Sequence, residues 1–151
     1  MFPMNHRFGM TSMENVLKEL DKFHGHIGPY AAIGYRMGQL AVKVLGEDRT
    51  GKRNRAVAYC GAKPPVSCLI DGIQLSSCCT LGKGNISIED KGEVGALFSN
   101  SEGKSIELSL RPEVHEKLKR EMTRDTCLTL SKYVLELSDQ ELFIIVQSGQ
   151  K

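Results

Sequence analysis

No CxxC pair occurs among the five cysteines of this sequence, Cys60, Cys68, Cys78, Cys79 and Cys127. Their odd number and irregular spacing argue against a disulfide framework and against a zinc ribbon. Free thiols in a reducing compartment are expected, most of them buried as small apolar groups. Also absent is any apolar run approaching the roughly 18 residues of a membrane span, and no basic n-region followed by an apolar h-region opens the chain. The expectation is a cytoplasmic protein with no membrane among its partners. Charge of one sign is scarce too: the net value is +2, too small and too evenly spread to imply nucleic acid. The densest basic run, RTGKRNR at 49–55, reads as a solvated loop. There are no repeats and no low-complexity segments.

What is present is the balance of one soluble globular domain over residues 1–151, with 40% hydrophobic and 25% charged residues. Residues 1–10 carry little pattern. Thr11 and Glu14 fit a capping box, and Met13, Val16, Leu17, Leu20 and Phe23 recur at helical spacing up to His24. Gly28-Pro29 opens a second, long amphipathic helix marked by Ile33, Met37, Leu40, Ala41, Val44 and Leu45 and closed by Gly46. Gly34 and Gly38 cost that helix propensity, which points to a close backbone approach by another element. That element is either a second copy, giving a homodimer, or this chain's own sheet.

Ala56–Cys60 reads as a short strand broken by Lys63-Pro64-Pro65. Ser67 reads as the N-cap of a helix from Cys68 to about Cys78, with Ile70 and Ile73 inward. Ile86 and Ile88, the run Val94–Phe98, and Ile106, Leu108 and Leu110 read as three strands of an antiparallel meander, joined by turns at 90–93 and 100–103. Pro112 opens a helix with Val114, Leu118 and Met122 on one face. Another helix covers about Cys127–Leu137, and Leu142–Val146 reads as a last buried strand. The sum is an α+β fold, a mixed β-sheet packed against several helices.

Chemistry centres on FHGHIGP at 23–29. On a helix, residues i and i+2 point about 200° apart, so His24 and His26 could not close on one ion there. In an extended segment they share a face, and Gly25 allows the turn this requires. Imidazole suits zinc, nickel and copper and titrates near neutrality. The alternative is a plain interhelical corner whose histidines bond to backbone. Two histidines are too few for a closed site, since a catalytic zinc wants about three protein ligands. Cys68 is the natural third. At a helix start it would meet free N–H groups and the positive end of the dipole, both of which favour thiolate. The same placement makes it the candidate catalytic nucleophile. Asp71 and Gln74 follow on one helical face as outer ligands or substrate contacts. Lys83 and Asn85, in the GKGN turn, are candidate contacts to a substrate anion; the turn lacks full P-loop spacing. Cys79 joins Cys68 on one ion only if the helix ends early and the chain folds back.

FHGHIGP, SCLIDGIQ (67–74) and CTLGKGN (79–85), in this order, resemble the FmdE family of formylmethanofuran dehydrogenase proteins over about Met13–Leu110. That family's opening motif usually reads HGHxCPG, so Gly28 stands at the cysteine position and Tyr30 at the final glycine. The resemblance implies an α+β core, commonly dimeric, with the histidine motif, Cys68 and Cys79 lining one cleft. It also implies a link to molybdenum or tungsten one-carbon enzymes, with a larger oxidoreductase complex as a possible partner and no C-terminal zinc-finger extension. The expected cofactor is a divalent transition metal, zinc or nickel, on His24, His26, Cys68 and Cys79. The rival expectations are a non-catalytic accessory or assembly protein and a metal-free thiol redox protein using Cys68.

Overall fold

The computed structural model describes residues 12–149. Helix α1 spans Met13–His24. Its N-cap is Ser12, whose hydroxyl accepts the Asn15 N–H at 3.1 Å, which replaces the box expected from Thr11, a residue outside the described ones. Val16, Leu17 and Leu20 are buried as the spacing predicts, whereas Phe23 stands 52% exposed. Gly25 ends the helix at φ 97°, a left-handed turn that glycine adopts freely, and its N–H returns to the Asp21 carbonyl.

Helix α2, Pro29–Leu45, starts after an extended Gly28 with proline in the first turn. Twelve of its seventeen residues are buried, so it is enclosed rather than amphipathic. It lies against α1, α3 (Leu69–Ser77), α5 (Cys127–Glu136) and strands β3 and β4 (Gly95–Ser99, Ser105–Leu110). The glycines explain how. A β-carbon at Gly34 would overlap the Leu69 carbonyl, one at Gly38 would overlap the Ser76 hydroxyl, and one at Gly72 would overlap the Ala31 carbonyl. The strip expected to face a second copy or the sheet is therefore filled by this chain's own helix α3.

Five strands form one sheet in the order β2-β1-β3-β4-β5, with β1 at Arg55–Tyr59, β2 at Ile86–Glu89 and β5 at Phe143–Ser148. The fold is α+β, as expected, with six helices and a mostly antiparallel mixed sheet. Three neighbouring antiparallel strands are present, but they are β1, β3 and β4. β2 does not pair with β3. It returns through α3 to lie parallel to β1, because a parallel pair requires a crossover and α3 supplies it. Inward positions alternate along β4 at Ile106, Leu108 and Leu110, and Ala56, Ala58 and Ala96 keep the centre of the sheet low beneath α2. β5 is an edge strand, not a buried one: Phe143 is enclosed, while Ile144 and Val146 are 43% and 56% exposed. Among the described residues no helix is long and apolar enough to cross a membrane.

Candidate functional site

The end of α1 and the start of α3 meet at a corner. His24, the last residue of α1, places Nδ1 2.5 Å from Oδ2 of Asp71, in the first turn of α3. A carboxylate only accepts, so Nδ1 carries the proton, and Nε2 of the neutral ring is left with a bare lone pair. That Nε2 is buried and has no hydrogen-bond partner. The His24 side chain is 10% exposed, so water does not readily replace the missing partner. The His26 ring lies 4.6 Å from it, centroid to centroid. A β-carbon at Gly28 would stand 3.3 Å from Cε1 of His26, so a cysteine here would sit directly on that ring.

Gln74 steadies the corner from the next turn. Its amide reaches Oδ1 of Asp71 at 3.4 Å, and its Oε1 accepts the Leu81 N–H at 2.8 Å. Asp71 thus has both oxygens engaged.

Cys68 differs from expectation. Ser67 is not a cap: a 3₁₀ turn at Val66–Cys68 runs directly into α3, and the Cys68 N–H is bonded to the Pro65 carbonyl at 3.1 Å. Its thiol is pushed above the ordinary range, first by burial and then by the negative charge of Asp71. The helix end therefore does not activate it. Cys60, just beyond β1, is pushed up to about 11 by burial, by Asp90 and by Cys68. It is half-buried rather than a core residue. All five cysteines are free thiols, as the sequence suggests.

Other expected site residues serve elsewhere. Cys78 takes φ 67° and ends α3, so the chain turns away, and Cys79 is 1% exposed with Asp48, Cys78 and Lys83 as its titratable neighbours. The nine-residue length of α3, about 14 Å at 1.5 Å per residue, separates it from Cys68. Lys83 donates to the Arg49 carbonyl at 2.9 Å. Asn85 is buried, accepting from the Thr80 N–H and donating to the Asn54 carbonyl, so it ties loops together. Among the described residues no three His, Cys, Asp or Glu side chains converge on one ion position.

Sequence reading missed a cleft of about 470 Å³ beside Cys60, walled by the Lys63-Pro64 loop, the β2–β3 turn and the first turn of α4 (Pro112–Glu121). His115 lines it, bonded to Tyr30 85 residues away.

Comparison with known proteins is decisive on kinship. The model of the FmdE family, described as "Molybdenum formylmethanofuran dehydrogenase operon", matches residues 23–144. The chain belongs to the FmdE family. A curated relative, the "Probable S-adenosyl-L-methionine-binding protein" of Archaeoglobus fulgidus, is 32% identical over 88 residues, covering 55% of this chain. The match takes in only 23% of that protein's length. Among solved structures, an FmdE-like protein of tungsten formylmethanofuran dehydrogenase from Syntrophus aciditrophicus superposes with a TM-score of 0.65. It is 19% identical and covers 91% of this chain and 72% of its own, so it establishes the shared FmdE fold.

Proposed function

We propose that this FmdE-family protein holds one divalent transition metal, zinc or nickel, with Nε2 of His24 as the anchoring ligand. One observation carries the reading: a buried imidazole with one nitrogen fixed by a carboxylate and the other left without a partner. Metal-ligating histidines almost always have their second nitrogen tied in this way, which sets the tautomer and raises basicity. His26, against the same ring, and Cys68, next to Asp71, are the remaining ligands, reached by turning their side chains. Nitrogen and sulfur donors together suit zinc and nickel. Cys79 has no part in this reading, because it lies at the far end of α3. Bound there, the ion would supply Lewis acidity, and this chain's own residues orient it: Asp71 through Nδ1, and Gln74 through Asp71.

The role that follows is a cytoplasmic one in one-carbon metabolism of molybdenum or tungsten enzymes, as partner of a larger oxidoreductase. The thiol redox alternative loses support, because Cys68 holds its proton more tightly than an ordinary thiol. A homodimer would have to use a surface other than the Gly34–Gly38 strip. S-adenosyl-L-methionine, from the name of the Archaeoglobus relative, is a ligand to include in binding assays.

The test is metal content of protein purified without a His-tag. About one zinc or nickel per chain is expected. His24→Ala and Cys68→Ser should each strip most of it, and Cys127→Ser should not. Equal metal in all variants would sink the site.

A further inference from the structure

The cleft beside Cys60 has its own chemistry. The Tyr30 hydroxyl lies 2.9 Å from Nδ1 of His115, with the rings edge-on at 83°. Tyr30 is 3% exposed, and its hydroxyl has no other hydrogen-bond partner among the described residues. Burial, followed by the charge of Glu116, pushes its acidity up to about 12, so it keeps its proton at neutral pH. If Nδ1 carried a hydrogen, the phenol O–H would be an unpaired donor in the interior, costing about 1–3 kcal/mol. The phenol therefore donates to Nδ1, and the neutral ring carries its own hydrogen on Nε2. With Nδ1 committed to Tyr30, Nε2–H is the nitrogen left to the cleft.

Three more groups in the cleft lack partners of opposite charge. Lys63 has no carboxylate in ion-pair range among the described residues, and neither Asp90 nor Glu93 has a cation. Between them runs apolar wall from Pro64, Val66, Val94 and Leu110. A volume of about 470 Å³ is within the range usual for small-molecule sites, and apolar walls with a few placed polar groups are their usual makeup.

We propose that this cleft binds a small zwitterion, whose carboxylate or carbonyl oxygen accepts from His115 Nε2–H and Lys63 while its ammonium meets Asp90 and Glu93. The carboxylates disfavour a simple anion, and the two donors disfavour a simple cation. Only a ligand carrying both charges satisfies every unpaired group. The proposal goes beyond the metal reading and does not depend on it, since none of these residues is a proposed metal ligand.

The experiment is ring ¹⁵N NMR of His115 on the full chain stripped of metal, so that failure of the metal site leaves it unaffected. The free protein should show the Nε2–H tautomer. Titration with 5-aminopentanoate should shift His115 saturably, with a Kd at least about tenfold below those of pentanoate and pentylammonium, a difference of ~1.4 kcal/mol. Asp90→Asn/Glu93→Gln, both exposed positions, should remove that preference without disturbing the fold. An Nδ1–H ring in the free protein, no saturable shift with 5-aminopentanoate, or equal binding of pentanoate would each overturn the proposal.

Discussion

Gly34 faces the carbonyl of Leu69 with no room for a β-carbon between them. Gly72, one turn along α3, faces the Ala31 carbonyl in the same way, so the two helices approach backbone to backbone. This contact sets how far Asp71, next to Gly72, stands from His24. Gly34→Ala or Gly72→Ala must force the helices apart, because the obstacle is backbone and cannot rotate aside. Overpacking of this kind costs ~1–3 kcal/mol or more, which is roughly 2–12 °C in Tm for a domain of this size. Gly82→Ala, in an open turn, serves as the control. A Tm equal to wild type in Gly34→Ala would mean that α2 and α3 do not pack this way.

The acidic limb of stability should report His115. Burial, with help from Lys119 and against Glu116, holds its pKa below the ordinary 6.5. The folded state therefore resists a proton that the unfolded chain accepts. Its contribution is complete above about pH 6.5 and is lost as pH falls. Urea midpoints should drop between pH 7.5 and 5.5, and His115→Gln should drop less. A parallel decline in both proteins would remove His115 as the cause.

The alkaline limb runs the other way. Tyr30 is raised from 10.0 to about 12, so its contribution is complete below pH 10 and lost as pH rises toward 12. Tyr35, raised by burial and by its bond to Glu19, acts in the same direction. Tyr30→Phe should flatten the fall in denaturation midpoint between pH 9.5 and 11.5, a comparison that circular dichroism can follow.

The legible parts of this molecule were those with local signals. The His24–Gly25–His26 spacing, the proline-led helices and the alternation at Ile106, Leu108 and Leu110 all appear where the pattern put them. Strand order was not legible, because β1 lies between β2 and β3 through pairings distant in sequence. Nor was the Tyr30–His115 bond, which joins residues 85 apart. Cys68 failed for a different reason. The local rule for a helix-start thiol held no information on burial or on Asp71, and those two outweigh the dipole. The odd, CxxC-free cysteine set did foretell free thiols, because spacing alone decides that case.

Asp71 should influence two measurements in opposite directions. It fixes Nδ1 of His24 and also lends its negative charge to the Cys68 environment. Asp71→Asn keeps the shape but removes the charge, so the orienting bond weakens and metal affinity should fall by about 10–100-fold. In metal-free protein the same change should speed alkylation of Cys68, because one of the two causes raising its pKa is gone. Burial, the larger cause, stays, so the gain should be modest and Cys68 should still react faster as pH rises above 9. Cys79, 1% exposed, should remain unlabelled in both proteins under native conditions. Iodoacetamide footprinting read by mass spectrometry at pH 7.0, 8.0 and 9.5 provides the comparison. Rapid labelling of Cys68 at pH 7.0 in the unsubstituted protein would show an activated thiol and restore the redox reading. Weaker metal binding without faster labelling would instead place Asp71 beyond electrostatic reach of Cys68, and the metal site would then rest on the histidines alone.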